Sequence, residues 1–88
     1  MDNLENIIKN IALPIALPPG SIMVMGKRRM PNFDLVFAQL PADLVAYINP
    51  NATAPGGEGF YLVPLNEGCY LKLSIQDDSI IALEVVHV

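Results

Sequence analysis

Proline sets the outer limits of what this chain can fold into. Eight prolines stand at positions 14, 18, 19, 31, 41, 50, 55 and 64. Each holds φ near about −65° and lacks a backbone N–H, which bars it from a helix interior or a central strand. Residues 13–20, Leu-Pro-Ile-Ala-Leu-Pro-Pro-Gly, are therefore confined to an extended, polyproline-like connector. Its Leu13, Ile15 and Leu17 are free to pack on a surface, either this chain's own or another protein's. A helix must finish before Pro14 and a second must stop at Pro50.

Between these breaks the hydrophobic periodicity assigns the elements. Asp2 followed by Glu5 resembles a capping box, and Leu4, Ile7, Ile8 and Ile11 keep the spacing of one helical stripe, which predicts an amphipathic helix over residues 1–12. Residues 21–40 read as a β-hairpin. Ser21 to Met25 form one arm and Phe33 to Phe37 the other, with Phe33, Leu35 and Phe37 on one face by alternation. Gly26 to Asn32 then make a long turn that carries Lys27, Arg28 and Arg29 at its tip. Pro41 to Ile48 read as a short helix with Leu44, Val45 and Ile48 on one face. Residues 49–59 have the composition of an exposed, mobile loop throughout.

The C-terminal third predicts a three-stranded meander over Phe60 to Val63, Cys69 to Ile75 and Ile80 to His87. A two-residue second turn sets Leu71 against Glu84, so the pattern favours a three-residue turn that pairs Ile75 with Ser79. That register places Leu73 opposite Ile81, Leu71 opposite Leu83 and Cys69 opposite Val85, with Tyr70 facing Glu84 and Lys72 facing Ala82. It also puts Ile80, Ala82, Val86 and Val88 on the outer face of the last strand. The expectation is an α+β chain forming a single domain over residues 1–88, with the β-rich body at 21–88. Its sheet is five-stranded and mostly antiparallel, or a small open barrel, with an N-terminal helix and one short helix between strands 2 and 3.

Composition narrows the chemistry. Hydrophobic residues make up 52% and charged residues 16%, where about 25% charged is usual. A chain of 88 residues cannot bury all of that apolar surface, so a greasy exterior is expected. Outside the Lys27-Arg28-Arg29 run the cations are Lys9 and Lys72, against nine acids. An acidic body with one basic point argues against a broad nucleic-acid footprint. The single cysteine, Cys69, makes no intrachain disulfide, which fits a reducing, cytoplasmic setting. The acidic N-terminus is unlike a signal peptide, and the apolar run from Ile11 to Leu17 is interrupted and too short for a membrane span. Asn51-Ala52-Thr53 matches a glycosylation sequon, which has no use without a secretory route.

No catalytic, metal or cofactor pattern is present in the sequence. His87 is the one histidine, so a nucleophile activated by histidine reduces to a Cys69–His87 pairing, against which stands the ordinary role of such a cysteine as a small buried hydrophobe. One Cys and one His do not make a structural zinc site. Asp77 and Asp78 read as turn formers, and Gly56-Gly57-Glu58-Gly59 precedes a strand where a phosphate loop precedes a helix.

The expectation is a non-enzymatic protein-interaction module, self-associating or partner-binding. Its candidate contacts are Lys27, Arg28 and Arg29 with Met23, Met25 and Met30, the connector residues Leu13, Ile15 and Leu17, and Ile80 and Val86 on the last strand. The cationic triplet has a plainer role as well, keeping a greasy hairpin from sticking to its neighbours. The alternative is a barrel-like domain that binds a small ligand in its mouth, with Tyr47, Tyr61 or Tyr70 as polar handles. Nucleic-acid contact through the triplet is weaker still, because no aromatic residue interleaves it.

Overall fold

The computed structural model describes residues 2–49, 59–66 and 68–87. Helix α1 spans Asp2–Lys9, and its last turn tightens as the Ile11 N–H reaches the Ile8 carbonyl at 3.1 Å, ahead of Pro14. The connector holds a two-residue edge strand, β1 (Ile15–Ala16), in the stretch between Pro14 and Pro18 where each residue keeps its N–H. It ends in a β-turn over Pro18–Ser21, closed by the Ser21 N–H on the Pro18 carbonyl at 3.2 Å. Pro19 and Gly20, with φ of +88° at Gly20, are the central residues a type II turn calls for.

The region of the expected hairpin folds differently. Strands β2 (Ile22–Met25) and β3 (Arg28–Pro31) form a short ribbon, and Phe33–Phe37 are helix α2. Gly26 has φ of +66° and begins a tight two-residue turn of the II′ kind, so the chain reverses at once. Arg28 and Arg29 consequently lie on the returning strand, and Lys27 alone of the triplet is in the turn. The alternation of Phe33, Leu35 and Phe37 competes with a helical stripe of Phe33, Val36, Phe37 and Leu40. Packing favours the stripe, since Val36 and Leu40 are buried in the core. Helix α3 (Ala42–Val45) follows, with Pro41 just before it in extended geometry.

Strands β4 (Phe60–Pro64), β5 (Cys69–Gln76) and β6 (Ser79–His87) make the meander. With β1 they form a four-stranded sheet in the order β1-β6-β5-β4, and β2-β3 is a separate sheet. The class is α+β with antiparallel sheets, as expected, but one five-stranded sheet is replaced by a four-stranded and a two-stranded one, and among the described residues no barrel closes. The expected loop over 49–59 falls, from residue 50 to 58, outside the described residues, as do the sequon and Val88.

The register of the last hairpin also departs from expectation. The β5–β6 turn has two residues, Asp77 and Asp78, with φ of 53° and 59°, the left-handed pair that defines a type I′ turn. Gln76 faces Ser79 and Ile75 faces Ile80, but Ser74 faces Ala82, so Ile81 is an extra residue in a β-bulge. Beyond the bulge Leu73 meets Leu83, Leu71 meets Val85, Lys72 meets Glu84 and Tyr70 meets Val86. The bulge reconciles a two-residue turn with the hydrophobic pattern. It also turns Ile80 inward, where it is completely buried, and leaves Ile81 partly exposed.

The helices cover one face of the four-stranded sheet. Leu4 of α1, Val36 of α2 and Leu44 of α3 meet Leu71, Leu73 and Ile80 of the sheet in one core, each burying apolar surface worth about 2 kcal/mol. Among the described residues no helix is long and apolar enough to cross a membrane.

Candidate functional site

Ribbon β2–β3 is the part of the molecule that its own core does not use. None of its described side chains belongs to the core cluster or packs against it. Met23 is 44% exposed, Met30 46% and Val24 69%, although large apolar side chains normally seek burial. Lys27 and Arg29 are exposed beside them. Met25 and Arg28 form the ribbon's last backbone pair, and their side chains lie outside what the structure describes.

Alternation puts Ile22, Val24 and Arg29 on one face of the ribbon and Met23 and Met30 on the other. The Asn32 N–H bonds to the Ser21 carbonyl at 2.6 Å, which anchors the base. On the β3 side the Tyr61 hydroxyl donates to the Arg29 carbonyl at 3.4 Å, tying the ribbon to β4. Between ribbon and sheet lies a cleft of about 500 Å³, lined by Lys27 and Arg29 of the ribbon and by Tyr61, Asp77 and Asp78 of the sheet and its last turn.

No family model, curated protein or solved structure matches this chain. The residues themselves carry the functional reading.

The remaining candidates are dispersed. Leu13 is exposed, but Ile15 is half-buried in the edge strand and Leu17 is buried, its N–H bonded to the Asp78 carbonyl at 2.9 Å. The connector thus packs largely on its own sheet. Ile80 was expected on the outer face; the bulge seats it in the core, and it offers no surface. Val86 is half-buried on the outer sheet face with Phe60, Leu62 and Tyr70. Lys72 crosses that face, its Nζ 4.9 Å from the Phe60 ring centroid and its backbone opposite Glu84, so charge interrupts the apolar strip.

Cys69 and His87 are direct cross-strand partners. Cys69 is nevertheless buried and His87 exposed, and no hydrogen bond joins their side chains among the described residues. The tyrosines expected as handles are divided: Tyr61 lines the cleft under the ribbon, Tyr47 a separate groove beside α1, and Tyr70 the outer face. Among the described residues no three His, Cys, Asp or Glu side chains gather as a metal ion requires.

The sequence reading singled out the methionines and missed Val24, the most exposed large apolar residue described. A signal was available in Gly26, whose place directly after an apolar run permits a two-residue turn and hence a ribbon too short to be buried.

Proposed function

We propose that this chain is a non-enzymatic protein-interaction module whose contact surface is the β2–β3 ribbon. The observation that supports this is the exposure of Met23, Val24 and Met30 on an element that adds nothing to the core. Apolar side chains kept outside a well-packed core on both faces of one ribbon, with Lys27 and Arg29 beside them, suit a contact element: apolar area to bury and cations to orient an approaching partner.

The test is a photoactivatable side chain placed at Val24 in cells expressing the chain, with the same group at Ile81 as a control. Ile81 is also exposed, at 45%, but sits in the β6 bulge. Protein adducts from position 24 in clear excess over position 81 are the expected result. Equal adducts from both positions, or none from position 24, defeat the proposal.

A small-ligand site is the second reading, favoured by the cleft of about 500 Å³. Lys27 and Arg29 together with Asp77 and Asp78 around one cleft suit a small zwitterion. Glycine and larger free amino acids, titrated while the Tyr61 and Asp78 resonances are followed by NMR, test it; unshifted resonances at millimolar ligand remove it.

A further inference from the structure

The two edges of the ribbon are not equivalent, and the difference identifies a partner. In an antiparallel pair, residues alternate between bonding inward to each other and pointing their N–H and C=O groups outward. The Asn32 N–H bonded to the Ser21 carbonyl makes 21/32 an inward pair. With the register of Met23 opposite Met30 and Val24 opposite Arg29, the pairs 23/30 and 25/28 also bond inward. The backbone groups of Ile22 and Val24 therefore point out along β2, and those of Arg29 and Pro31 point out along β3.

The β3 edge is closed. Pro31 has no N–H to offer, the Arg29 carbonyl is occupied by the Tyr61 hydroxyl, and two arginines stand along the strand, all of which discourage pairing. The β2 edge reads Ile-Met-Val-Met, with no charge, no proline, and no partner among the described residues for the outward groups of Ile22 and Val24.

We propose that a second copy of this chain pairs with β2 along this edge, antiparallel and about a two-fold axis through Met23. The proposal rests on the reading of the ribbon as the interaction surface and names its occupant. An antiparallel strand paired with itself is self-complementary. With Ile22 opposite Val24 of the second copy, and the converse, the two outward donors and two outward acceptors of each strand are all satisfied. A continuous sheet β3-β2-β2-β3 results, with Met23 facing Met23 across the axis beside Met30.

Charge selects the same arrangement. The arginines of the two copies end on opposite margins, three strand spacings or about 14 Å apart, beyond a Debye length of about 8 Å at physiological ionic strength. Pairing through β3 sets them face to face. Two four-residue strands cover less than the roughly 800 Å² per partner of a standard interface. The dimer is accordingly weak and dissociates on dilution.

Met23→Cys tests the axis. Directly opposed residues of a pair that does not bond inward lie about 4.5 Å apart at Cα, within disulfide reach. In oxidised glutathione, at about 100 µM protein where a weak interface is populated, the variant is expected to become a covalent dimer at least about tenfold faster than Met30→Cys. Both sites are similarly exposed on the same face, but Met30 lies far from the axis. Equal rates overturn the proposal.

Val24→Pro is the second arm. It removes an outward N–H and leaves the inward ladder intact, so by sedimentation it remains monomeric where the wild type shows a concentration-dependent dimer; Val24→Lys does the same by charge. A wild type that stays monomeric up to about 1 mM, or a folded Val24→Pro that dimerises like wild type, refutes self-pairing. Position-24 adducts that contain only other proteins leave the interaction reading standing while self-pairing falls. Absence of any adduct removes both.

Discussion

Deleting Ile81 puts the strand register to a direct test. Loss of one residue from the middle of a paired strand ordinarily turns every later side chain to the opposite face and is ruinous. The bulge predicts otherwise. With Ile81 gone, Ile80 still faces Ile75, Ala82 follows it opposite Ser74, and Leu83 and Val85 keep their places opposite Leu73 and Leu71. The deletion removes the residue that has no partner. What it costs is the buried part of one isoleucine that is already 45% exposed; full burial of such a side chain is worth about 1.5–3 kcal/mol, so the loss is about 1 kcal/mol. In a domain of this size that lowers Tm by about 4–8 °C.

Deletion of Lys72 from β5 is the matched control. That strand has no spare residue, and the deletion rotates Leu71 and Cys69, at 0% and 2% exposure, out of the core. Losing Leu71 alone costs about 2–5 kcal/mol, a large part of the roughly 4–13 kcal/mol available to a chain of this length. Thermal melts followed by circular dichroism should show a cooperative transition for the Ile81 deletion and none for the Lys72 deletion. Side-chain NOEs between Leu73 and Leu83 should persist in the former. An Ile81 deletion that fails to melt cooperatively, or whose Leu73 contacts move to Ala82 or Glu84, refutes the reasoning.

Three further outcomes follow from the same structure. Asp78→Gly relieves a left-handed residue of the I′ turn, at φ 59°, and should raise stability by about 0.5 kcal/mol, whereas Asp78→Val should lower it, read from urea midpoints. Leu44→Ala, at a completely buried site, should cost about 2–5 kcal/mol in the same urea titration, and Val24→Ala on the exposed ribbon less than about 0.5 kcal/mol; comparable losses would contradict the placement of the core. Ser21→Ala deletes the hydroxyl that donates to the Pro18 carbonyl at 2.7 Å and should cost about 1 kcal/mol, with amide exchange at Asn32 accelerating as the ribbon's base loosens.

Local signals were legible from the residues alone. The stripe of Leu4, Ile7, Ile8 and Ile11 predicts α1, although the helix ends at Lys9, short of the expected residue 12, and proline marks the connector that follows. The three C-terminal strands lie within a residue of where alternation and turn residues place them. Each of these depends on φ/ψ limits or on a periodicity contained in one segment. The segment over 33–37 is ambiguous by pattern because five residues hold both an alternating and a helical apolar pattern, and the choice of helix over strand belongs to the partners of Val36 and Leu40 across the core. Of the candidate contacts, Met23, Met30, Lys27 and Arg29 do lie together on an exposed ribbon, while Leu17 and Ile80 are drawn inside.

The sequence by itself determined where this chain can be regular: proline and glycine limit the backbone residue by residue, and the apolar periods name each element's inward face. Tertiary structure alone decided how those elements meet. Strand register, the bulge at Ile81 and the inward turn of Ile80 depend on contacts between residues distant in the chain, and so does the exclusion of the ribbon from the core. Two registers that suit a strand equally well by itself differ in energy only once the helices cover one face of the sheet, and that packing leaves Met23, Val24 and Met30 outside.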